Sequence, residues 1–568
     1  MKKKHIKAAA AVLAAVLVLV PQSVLAAKTE EQIILQEKTE LYQAAAPEYR
    51  FDNNARVQKP SKVTVRFERK ADGTYANPDA EETGEATLMI TGDLMCQYRQ
   101  QEAAFTSNGK DYIDHEDMQK IKAAALEKQE DAKENILLGN PFPAEDEESM
   151  ESGSGEEDEA EAADAAADSG AEAEDTVSSA VSAVPGTSVS IPALDFGTVP
   201  QPEGTWNFNK SFRHVRKILK QGDLVIGNLE TVLSQSSPLT MQCRRLEDKP
   251  YLNSPVEFLD AVDYAGYDLL TLANNHNCDV GVQGLLETLD NIDSYGFMRT
   301  GMFAGEEEDR YVIVDVNGIK VGIVAYATYF NKKEDNFTEE GQNVLLNSFD
   351  IDKARVDIKA AKKAGAEFVV ALMHWGKENT HDTTAKQRRC ARYVARAGAD
   401  YIVGSHPHAL QPYEIIELSN GRQIPVIYSM GNFLSCMQQD INYDTVVLQL
   451  KLKRNEEGKI AVTSHRLYPC TIMEDLDTVS SDGTVSSEPY VITPHLKKYM
   501  PQISDKSYSG RLDLEFLEES HDRIVSVFGN EMLLDVPYDL YGLEGGIGDS
   551  IDSEYILNRA EWILDNQL

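Results

Sequence analysis

The chain has 568 residues, a length that allows more than one domain, and it carries 55 Lys and Arg against 93 Asp and Glu, a formal net charge of −38. So acidic a chain argues against nucleic acid as a partner, because phosphate contacts need a basic surface. Its six cysteines stand singly, a spacing that fits neither a small disulfide scaffold nor a CxxC zinc site.

The first 26 residues have the pattern of a cleavable signal peptide. A basic start, "MKKKHIK", is followed by the apolar "AAAAVLAAVLVLV" and by small residues up to Ala26. An uncleaved anchor is the alternative, but the apolar stretch is short for a membrane-spanning helix. We therefore predict a mature chain that is secreted or held at the extracytoplasmic cell surface. Residues 27–85 are polar and form a variable N-terminal segment.

A single domain is predicted over residues 86–473, with an insertion at about 103–205. The insertion begins with a helical pattern over 103–135 and continues into an acidic run at 141–180. Within that run, residues 145–175 include fifteen acidic side chains and no Lys or Arg. Such a composition cannot bury enough apolar surface to fold, so a solvated disordered loop is expected. Weak calcium binding is the alternative, although the spacing of a defined calcium loop is missing.

After the insertion, apolar strands alternate with helical segments. Predicted strands are "DLVIGNLE", "YDLLTLANNH", "IKVGIVAYAT", "EFVVALMHWG", "DYIVGSHPH" and "QIPVIYSMGNFL", and a hairpin with its turn near 456–458 follows. Predicted helices between them include "GVQGLLETLDNIDSYG", which ends at Gly296. The extension at 474–568 carries two predicted helices and no motif. Alternating strands and helices indicate an α/β domain, whose sites form beyond the carboxyl ends of its strands.

Five predicted strand ends, including that of "ATLMITGD" before the insertion, carry side chains of the types that bind metal ions. The residues are Asp93; Asn228 and Glu230; Asn274, Asn275 and His276; His374 with Glu378 beyond it; and His406 and His408. One such residue is usually a turn, a cap or an ordinary polar side chain, but five strand ends in one domain favour a site. Mixed oxygen and imidazole ligands suit Mn, Fe or Zn. The i, i+2 spacing of the last two histidines would point both to one side of an extended chain.

The motifs at these strand ends resemble those of a known family. In order they are "TGDLM", "GNLETVLS", "LANNHNCDVGVQGLLETLDNI", "HWGKE", "GSHPHALQPYE" and "YSMGNF". The set is similar to the CapA family of poly-gamma-glutamate capsule biosynthesis proteins, which in turn resembles the calcineurin-like metallophosphoesterases. The resemblance runs from about 86 to 435. It implies a four-layer α/β/β/α sandwich with one or two divalent ions at the strand ends.

The resemblance also assigns roles to individual residues. Asp93 would bind the first ion, Glu230 would bridge and His374 would bind the second ion. Asn275 would be a further ligand, and His276 would protonate a leaving group or bind phosphate. His406 and His408 would supply one imidazole to each ion. The metallophosphoesterases have DxH at the first motif, whereas Met95 stands here at the place of the imidazole. Because a thioether is a poor ligand for hard ions, the first ion would be weak, shifted or absent.

Further candidates surround this set. Asn228 could anchor substrate or orient a ligand, and Asn274 stands beside the Asn-His pair. Asp279 and Glu378 could orient imidazoles, although Asp279 could equally cap a helix. Gln411 and Glu414 could line the cleft or make ordinary loop hydrogen bonds. For Cys96 and Cys278 we considered a disulfide, a soft metal ligand and two unrelated buried thiols, and favour the last.

Three functions are compatible with the sequence. The leading one is a secreted metal-dependent hydrolase or transferase that acts on a capsule or cell-envelope polymer, with poly-gamma-glutamate as the substrate that the resemblance implies. The alternative is a non-catalytic binding or assembly module of a membrane capsule-synthesis complex. The third is a calcium-responsive surface protein that uses the acidic run.

Overall fold

The computed structural model describes residues 66–107, 201–202, 204–243, 245–246, 249–479, 485–492 and 514–536. The predicted signal peptide, the acidic run at 141–180 and most of the predicted insertion lie outside these residues. The strands are β1 (Glu68–Arg69), β2 (Tyr75–Ala76), β3 (Glu85–Leu94), β4 (Phe105–Ser107), β5 (Gly204–Trp206), β6 (Leu224–Leu229), β7 (Arg245–Leu246), β8 (Lys249–Pro250), β9 (Leu269–Thr271), β10 (Met298–Thr300), β11 (Val312–Val316), β12 (Ile319–Ala327), β13 (Phe368–His374), β14 (Tyr401–Ser405), β15 (Leu410–Glu417), β16 (Gln423–Met430), β17 (Asn432–Leu434), β18 (Asp444–Arg454), β19 (Ile460–Val479) and β20 (Val485–Ile492).

Helices connect most of the parallel strands. The α-helices are α1 (Tyr98–Ala104), α2 (Arg216–Leu219), α3 (Thr240–Cys243), α4 (Phe258–Ala265), α5 (Gly281–Tyr295), α6 (Glu339–Leu345), α7 (Ile351–Lys363), α8 (Ala385–Ala397), α9 (Asp440–Tyr443) and α10 (Leu514–Phe528). Among the described residues, no helix is both long and apolar enough to cross a membrane.

Two large sheets form the centre of the domain. The first has the strand order β1-β2-β11-β12-β13-β14-β16-β15, and the second has the order β10-β9-β6-β3-β18-β19-β20 with β17 beside β3. Strands β12, β13, β14 and β16 are parallel to one another, as are β10, β9, β6 and β3. Their carboxyl ends therefore meet along one edge of each sheet, which is where the predicted ligands stand.

Side chains alternate between two apolar layers along each central strand. In β12, Val321 and Ile323 join the core between the sheets, whereas Val324 faces helices α7 and α8 on the outside. In β6, Ile226 faces the inner core and Val225 the outer one, beside α4. Because successive strand residues point to opposite faces, near-continuous apolar strands must be covered on both sides. The predicted four-layer α/β/β/α arrangement is confirmed.

One predicted strand is divided between the two sheets. We expected "QIPVIYSMGNFL" to form a single strand, but it breaks at Gly431, so that β16 lies in the first sheet and β17 in the second. Gly431 has a φ of 68°, and a Cβ there would come within 2.6 Å of the carbonyl oxygen of Asp444. The prediction was wrong because a left-handed glycine turns the chain from one sheet to the other.

The root of the insertion is visible as a small sheet. Helix α1 is followed by β4, which pairs antiparallel with β5 on the far side of the undescribed residues. The helical pattern predicted from residue 103 is therefore wrong for residues 105–107, which form a strand. The remainder of the predicted helical segment, from residue 108, lies outside the described residues.

Residues before and after the predicted domain contribute to its core. Phe67 is buried between the sheets although it precedes residue 86, and β19 continues beyond residue 473 to Val479. Leu517 and Ile524 of α10 are also fully buried. Of the two helices predicted in the C-terminal extension, α10 lies within the described residues.

Candidate metal centre

The carboxyl ends of five parallel strands meet at one buried cluster. In the second sheet, β3 places Asp93 in register with Asn228 of β6 on one side and with Asn432 of β17 on the other. In the first sheet, β13 and β14 place His374 in register with Ser405. Eight of the sequence candidates come together here, each with at most 6% of its surface exposed: Asp93, Asn228, Glu230, Asn275, His276, His374, His406 and His408.

Asp93 is an ionised carboxylate held by several donors. The Asn228 side chain donates to its Oδ1 at 2.7 Å, and the backbone N–H of His406 donates to its Oδ2 at 3.1 Å. Burial alone would raise the pKa of Asp93, but contact with His408 and the imidazole of His374 outweigh burial and hold it well below the usual range. Asp93 therefore keeps its charge inside the protein.

Glu230 is fully buried, and neither of its carboxyl oxygens has a hydrogen-bond partner. Its Oε1 lies 3.6 Å from Nε2 of His374, 3.9 Å from Nε2 of His408 and 4.0 Å from Nε2 of His276. Burial and the charge of Asp93 raise the pKa of Glu230 well above its ordinary value. A buried carboxylate without a donor is costly, so this group must bind either a proton or a cation.

Hydrogen bonds orient His408 and His374, two of the four imidazoles that surround Glu230 and Asp93. Nδ1 of His408 pairs with Oδ1 of Asn432 at 2.8 Å, which leaves Nε2 toward Glu230. His374 pairs through Nδ1 with the Ser405 hydroxyl at 2.9 Å and through Nε2 with Oδ1 of Asn275 at 2.9 Å. These partners fix the ring orientations, as expected around metal-binding histidines.

The pKa values of the imidazoles differ with their contacts. Burial lowers the pKa of His374 to about 3, and burial with the neighbouring imidazoles lowers that of His406 well below its ordinary value. Burial also acts against protonation of His408, but contact with Asp93 outweighs it and raises the pKa. His374 and His406 are therefore neutral at pH 7, the state in which an imidazole nitrogen binds a metal ion.

The two histidines of "SHPH" lie on a left-handed turn. His406 has a φ of 93° and His408 a φ of 56°, and β14 has already ended at Ser405. The expectation of an extended chain is therefore wrong, because these two residues adopt the positive φ that non-glycine residues seldom take. The turn brings the rings of His406 and His374 to 4.7 Å between centroids and leaves Nδ1 of His406 buried without a hydrogen-bond partner. Backbone strain of this kind is typical of functional sites.

Asp279 orients His276 through Nδ1, the ring nitrogen that does not face Glu230. Its Nδ1 pairs with Oδ2 of Asp279 at 2.7 Å, and Asp279 also accepts from Nζ of Lys333 at 2.6 Å. Helix α5 begins at Gly281 without a side-chain cap, so Asp279 orients His276 and does not cap the helix. Asn274 stabilises the same turn, because its Nδ2 donates to the carbonyl of Leu229 at 2.8 Å and its Oδ1 accepts from the backbone N–H of His276 at 3.1 Å.

Three candidates lie apart from the cluster. Glu378 is exposed, although its charge contributes to the raised pKa of Glu230. Gln411 is buried and pairs with Gln387 and with two loop carbonyls, the ordinary loop bonding that we considered as its alternative. Glu414 accepts a hydrogen bond from the Tyr428 hydroxyl at 2.8 Å, part of the way along β15.

Sequence reasoning missed four residues that contact the cluster: Ser405, Asn432, Asn331 and Lys333. Asn432 stands in "YSMGNF", so a polar residue directly after the apolar strand β16 was an available signal. Ser405 likewise ends its strand. Asn331 and Lys333 come four and six residues after the end of β12 and had no comparable signal.

Met95 and the cysteines stay outside the ligand set. Met95 is buried, and its backbone N–H donates to the carbonyl of Leu434 at 2.9 Å. Cys96 and Cys278 are both buried and form no disulfide, and the other four cysteines are also buried and form none. The absence of a disulfide agrees with the favoured prediction for this pair.

The residues fit a divalent ion. Among the described residues, two groups have ligand atoms within 4.8 Å of one another: Glu230 with His406 and His408, and Asp93 with Glu230 and His374. Ligand atoms bound to one ion at about 2.1 Å lie up to about 4.2 Å apart. The separations of 3.6 Å and 3.9 Å between Glu230 and two imidazoles are too long for hydrogen bonds but match this spacing.

The solved structures that align with this chain do so at low sequence identity and low TM-score. NAD nucleotidase (NadN) of Haemophilus influenzae aligns with 63% of the chain and 62% of its own at 15% identity and a TM-score of 0.32. The calcineurin-like phosphoesterase YfkN of Bacillus subtilis aligns with 56% of the chain and 92% of its own at 16% identity and a TM-score of 0.29.

Sequence relatives are closer. The chain is 31% identical over 274 residues to PGA biosynthesis protein CapA of Bacillus subtilis (strain 168), covering 46% of this chain and 67% of the relative. It is 30% identical over 247 residues to capsule biosynthesis protein CapA of Bacillus anthracis, covering 43% of this chain and 58% of that relative. Residues 87–437 match the model of the bacterial capsule synthesis protein family PGA_cap. The match includes every residue of the buried cluster, and the chain belongs to this family.

Proposed function

We propose that this chain is a metal-dependent hydrolase or transferase that acts on a capsule or cell-envelope polymer outside the cytoplasmic membrane. The observation that carries the proposal is Glu230, a buried carboxylate with no hydrogen bond, placed among imidazole nitrogens at 3.6–4.0 Å. Structural carboxylates inside proteins are paired, so an unpaired one surrounded by ligand types favours a cation site.

Two overlapping groups of residues would hold the ion. Glu230 with His406 and His408, and Asp93 with Glu230 and His374, would hold one or two ions of Mn, Fe or Zn, and Asn275 adds an amide oxygen beside His374. When bound, such an ion supplies Lewis-acid polarisation of a substrate oxygen and a lowered pKa for water. Asn228 holds the Asp93 carboxylate in place through its hydrogen bond.

His276 is the residue placed to move a proton. Because Asp279 takes its Nδ1, its Nε2 is turned toward Glu230, 4.0 Å from Oε1. An imidazole fixed in this way can protonate a leaving oxygen or nitrogen, or donate to an anionic oxygen of the substrate. The hydrogen bond with Asp279 keeps the His276 ring in this orientation.

The polymer class is suggested by the relatives' names, capsule biosynthesis protein and PGA biosynthesis protein. A chain with a net charge of −38 repels a polyanion such as poly-gamma-glutamate unless a cation offsets the charge locally. A divalent ion beside Glu230 would do so. The signal peptide predicted over residues 1–26 is the basis for action outside the cytoplasmic membrane, alone or with a membrane capsule-synthesis complex.

The second candidate function is a non-catalytic binding module of capsule assembly. The position of Met95 favours it, because the imidazole of a DxH motif is missing and Met95 is buried outside both ligand groups. A module of this kind would retain one ion for structure or for binding an anionic polymer, and it would not cleave a bond.

Metal content and turnover separate the two candidates. Full chain purified without chelator should carry one or two equivalents of transition metal and hydrolyse an aryl phosphodiester or a glutamyl amide. His406→Ala should lose at least one equivalent and the turnover, whereas the control His521→Ala, on helix α10, should lose neither. Metal without turnover on either substrate would favour the binding module, and a metal-free wild-type chain would overturn both forms of the proposal.

A further inference from the structure

The loop after β12 contacts the cluster at three places, although its strand ends without a ligand residue. The Tyr329 ring lies 6.2 Å from the ring of His406 between centroids. Asn331 pairs with Asn275, and Lys333 pairs with Asp279, the partner of His276. The loop therefore contacts neighbours on both sides of the proposed centre.

The loop backbone adopts an uncommon conformation at two successive residues. Asn331 has a φ of 60° and Lys332 a φ of 58°. Left-handed conformation is tolerated by asparagine but costs a lysine about 1 kcal/mol or more. Strain of this kind persists only where surrounding contacts enforce it, and here those contacts are made by the side chains on either side of Lys332.

Asn331 determines which way the Asn275 amide points. Oδ1 of Asn331 accepts from Nδ2 of Asn275 at 3.3 Å, and Nδ2 of Asn331 donates to the backbone carbonyl of Asn275 at 3.1 Å. With its nitrogen engaged, Asn275 must present Oδ1 to the opposite side, where it meets Nε2 of His374 at 2.9 Å. Asn331 is itself only 5% exposed, so water does not compete freely for this pair.

Lys333 holds the carboxylate that orients His276. Its Nζ lies 2.6 Å from Oδ1 of Asp279, whose side chain is completely buried, while the Lys333 side chain is 13% exposed. Oδ2 of Asp279 accepts from the backbone N–H of Leu252 at 2.7 Å and meets Nδ1 of His276 at the same distance. Lys333 thus balances a buried charge and fixes the carboxylate that keeps Nε2 of His276 turned toward Glu230.

We propose that Asn331 and Lys333 are positioning residues with separate tasks: Asn331 fixes the Asn275 amide toward the metal centre, and Lys333 fixes His276 through Asp279. This inference rests on the proposed function, because it assumes an ion at Glu230 and a reaction at His276. It adds a sixth strand end, that of β12, to the five that supply ligands. The two tasks predict different defects when each residue is replaced.

Asn331→Gly should weaken metal binding. Glycine accepts the left-handed backbone without strain, so this variant removes the amide pair and leaves the loop conformation accessible. Loss of a group that orients a ligand typically lowers metal affinity about 10- to 100-fold, and we expect that loss for Mn²⁺ measured by titration calorimetry on the full chain. Lys332→Gly is the matched control, since it relieves the same backbone strain at an exposed side chain and should leave the affinity unchanged.

Lys333→Met should lower turnover and spare metal affinity. We expect kcat to fall about 10-fold with KM and Mn²⁺ affinity within twofold of wild type, because the change acts on His276 and not on the ligands. Lys333→Arg keeps a cation that can reach Asp279 and should recover most of kcat. A residue with only a structural role would lower stability without this split between kcat, KM and metal affinity.

The results also separate failure of this inference from failure of the proposed function. Wild-type chain that binds neither Mn²⁺ nor Zn²⁺ would overturn the proposed function and this inference together. Normal wild-type binding with unchanged affinity in Asn331→Gly, or unchanged kcat in Lys333→Met, would overturn this inference alone. A loss of affinity in Lys332→Gly equal to that in Asn331→Gly would show that the backbone acts rather than the amide, and would also overturn it.

Discussion

Glu230 combines full burial with two carboxyl oxygens that make no hydrogen bond. Three imidazole nitrogens lie at 3.6–4.0 Å from Oε1, close enough to share an ion and too far to donate directly. Burial and Asp93 disfavour the ionised form, so the pKa of Glu230 is raised and its charge is a cost to the metal-free fold. A bound ion would stabilise the ionised form of Glu230, and this interaction would contribute to the affinity for the ion.

Replacing Glu230 by glutamine should therefore separate stability from metal binding. In chelator, Glu230→Gln should raise Tm by a few degrees, because the amide is neutral without a proton, whereas the buried Glu230 carboxyl must either carry an unpaired charge or take up a proton well above its ordinary pKa. With Mn²⁺ at about 100 times Kd, wild type should gain about 2.7 kcal/mol of stability and the variant should gain none. Thermal unfolding with and without Mn²⁺ measures both effects.

The control for this change is Glu287→Gln on α5. Glu287 is also buried, but it accepts hydrogen bonds from the Ser234 hydroxyl at 2.7 Å and from the backbone N–H of Ser236 at 3.1 Å. The Glu287→Gln variant should have a lower Tm in chelator and should retain the full increase of Tm that Mn²⁺ gives to wild type. A Mn²⁺ shift that survives in Glu230→Gln would contradict the assignment of Glu230 as a ligand.

At the scale of elements, helix α10 lies beyond the residues that match the family, but it contacts the segment that carries Asn432 into the site. Asp444, at the start of β18, accepts from Nε of Arg523 at 2.6 Å and from the Ser520 hydroxyl at 2.6 Å. The Asp444 side chain is completely buried, and its carbonyl lies against Gly431, where the chain crosses between the sheets. Helix α10 is thus tied to the turn that presents Asn432 to His408.

Arg523→Ala should be strongly destabilising. The substitution leaves the charge of Asp444 buried, and the Ser520 hydroxyl is then its only donor among the side chains of α10. Removing one partner of a buried ion pair costs about 3–5 kcal/mol of stability. Urea unfolding should show this loss, whereas Lys459→Ala, which removes an exposed pair with Glu457, should change stability by less than about 1 kcal/mol. Equal effects of the two substitutions would contradict the role given to α10.

Helix α7 provides a pH dependence that is independent of the site. Burial, with the nearby charge of Arg310, lowers the pKa of Lys353 from 10.5 to about 8. Between these two values the unfolded chain binds more protons than the folded one, so the free energy of unfolding rises with pH across that window. The penalty for charging the partly buried Lys353 is fully present below pH 8 and disappears as the pH approaches 10.5.

Lys353→Met should remove this dependence. The variant should be more stable than wild type at pH 7, and the difference should shrink between pH 8 and 10.5. Urea unfolding of both proteins at pH 7 and at several values in that window gives the difference directly. A constant difference would show that Lys353 keeps an ordinary pKa in the folded protein.

At the scale of the whole molecule, the site lies where the carboxyl ends of the parallel strands of two mixed sheets meet. The sequence was sufficient to predict this convergence, because Asp93, Glu230 and His374 each end or follow a buried apolar strand. Eight candidates from five strand ends lie together in the structure. Their roles in metal binding and catalysis remain predictions.

What the sequence could not show depends on tertiary contacts. Asn331 and Lys333 reach the site through a loop in which two non-glycine residues have a positive φ. The residue types of this loop do not predict that conformation. The turn at His406 was expected to be extended because the apolar residues of β14 lead directly into it and the two histidines stand at i and i+2. Helix α10 carries no motif, and its ion pair with Asp444 joins residues 79 apart in sequence.

The central claim is that a divalent ion binds between Glu230 and the surrounding imidazoles. Anomalous diffraction from crystals grown with Mn²⁺ tests it most directly, because the ion is located without assuming any activity. The account predicts one or two peaks within about 2.5 Å of Glu230 and of the His406, His408 or His374 nitrogens. A map with no peak among these side chains at saturating Mn²⁺ would contradict it.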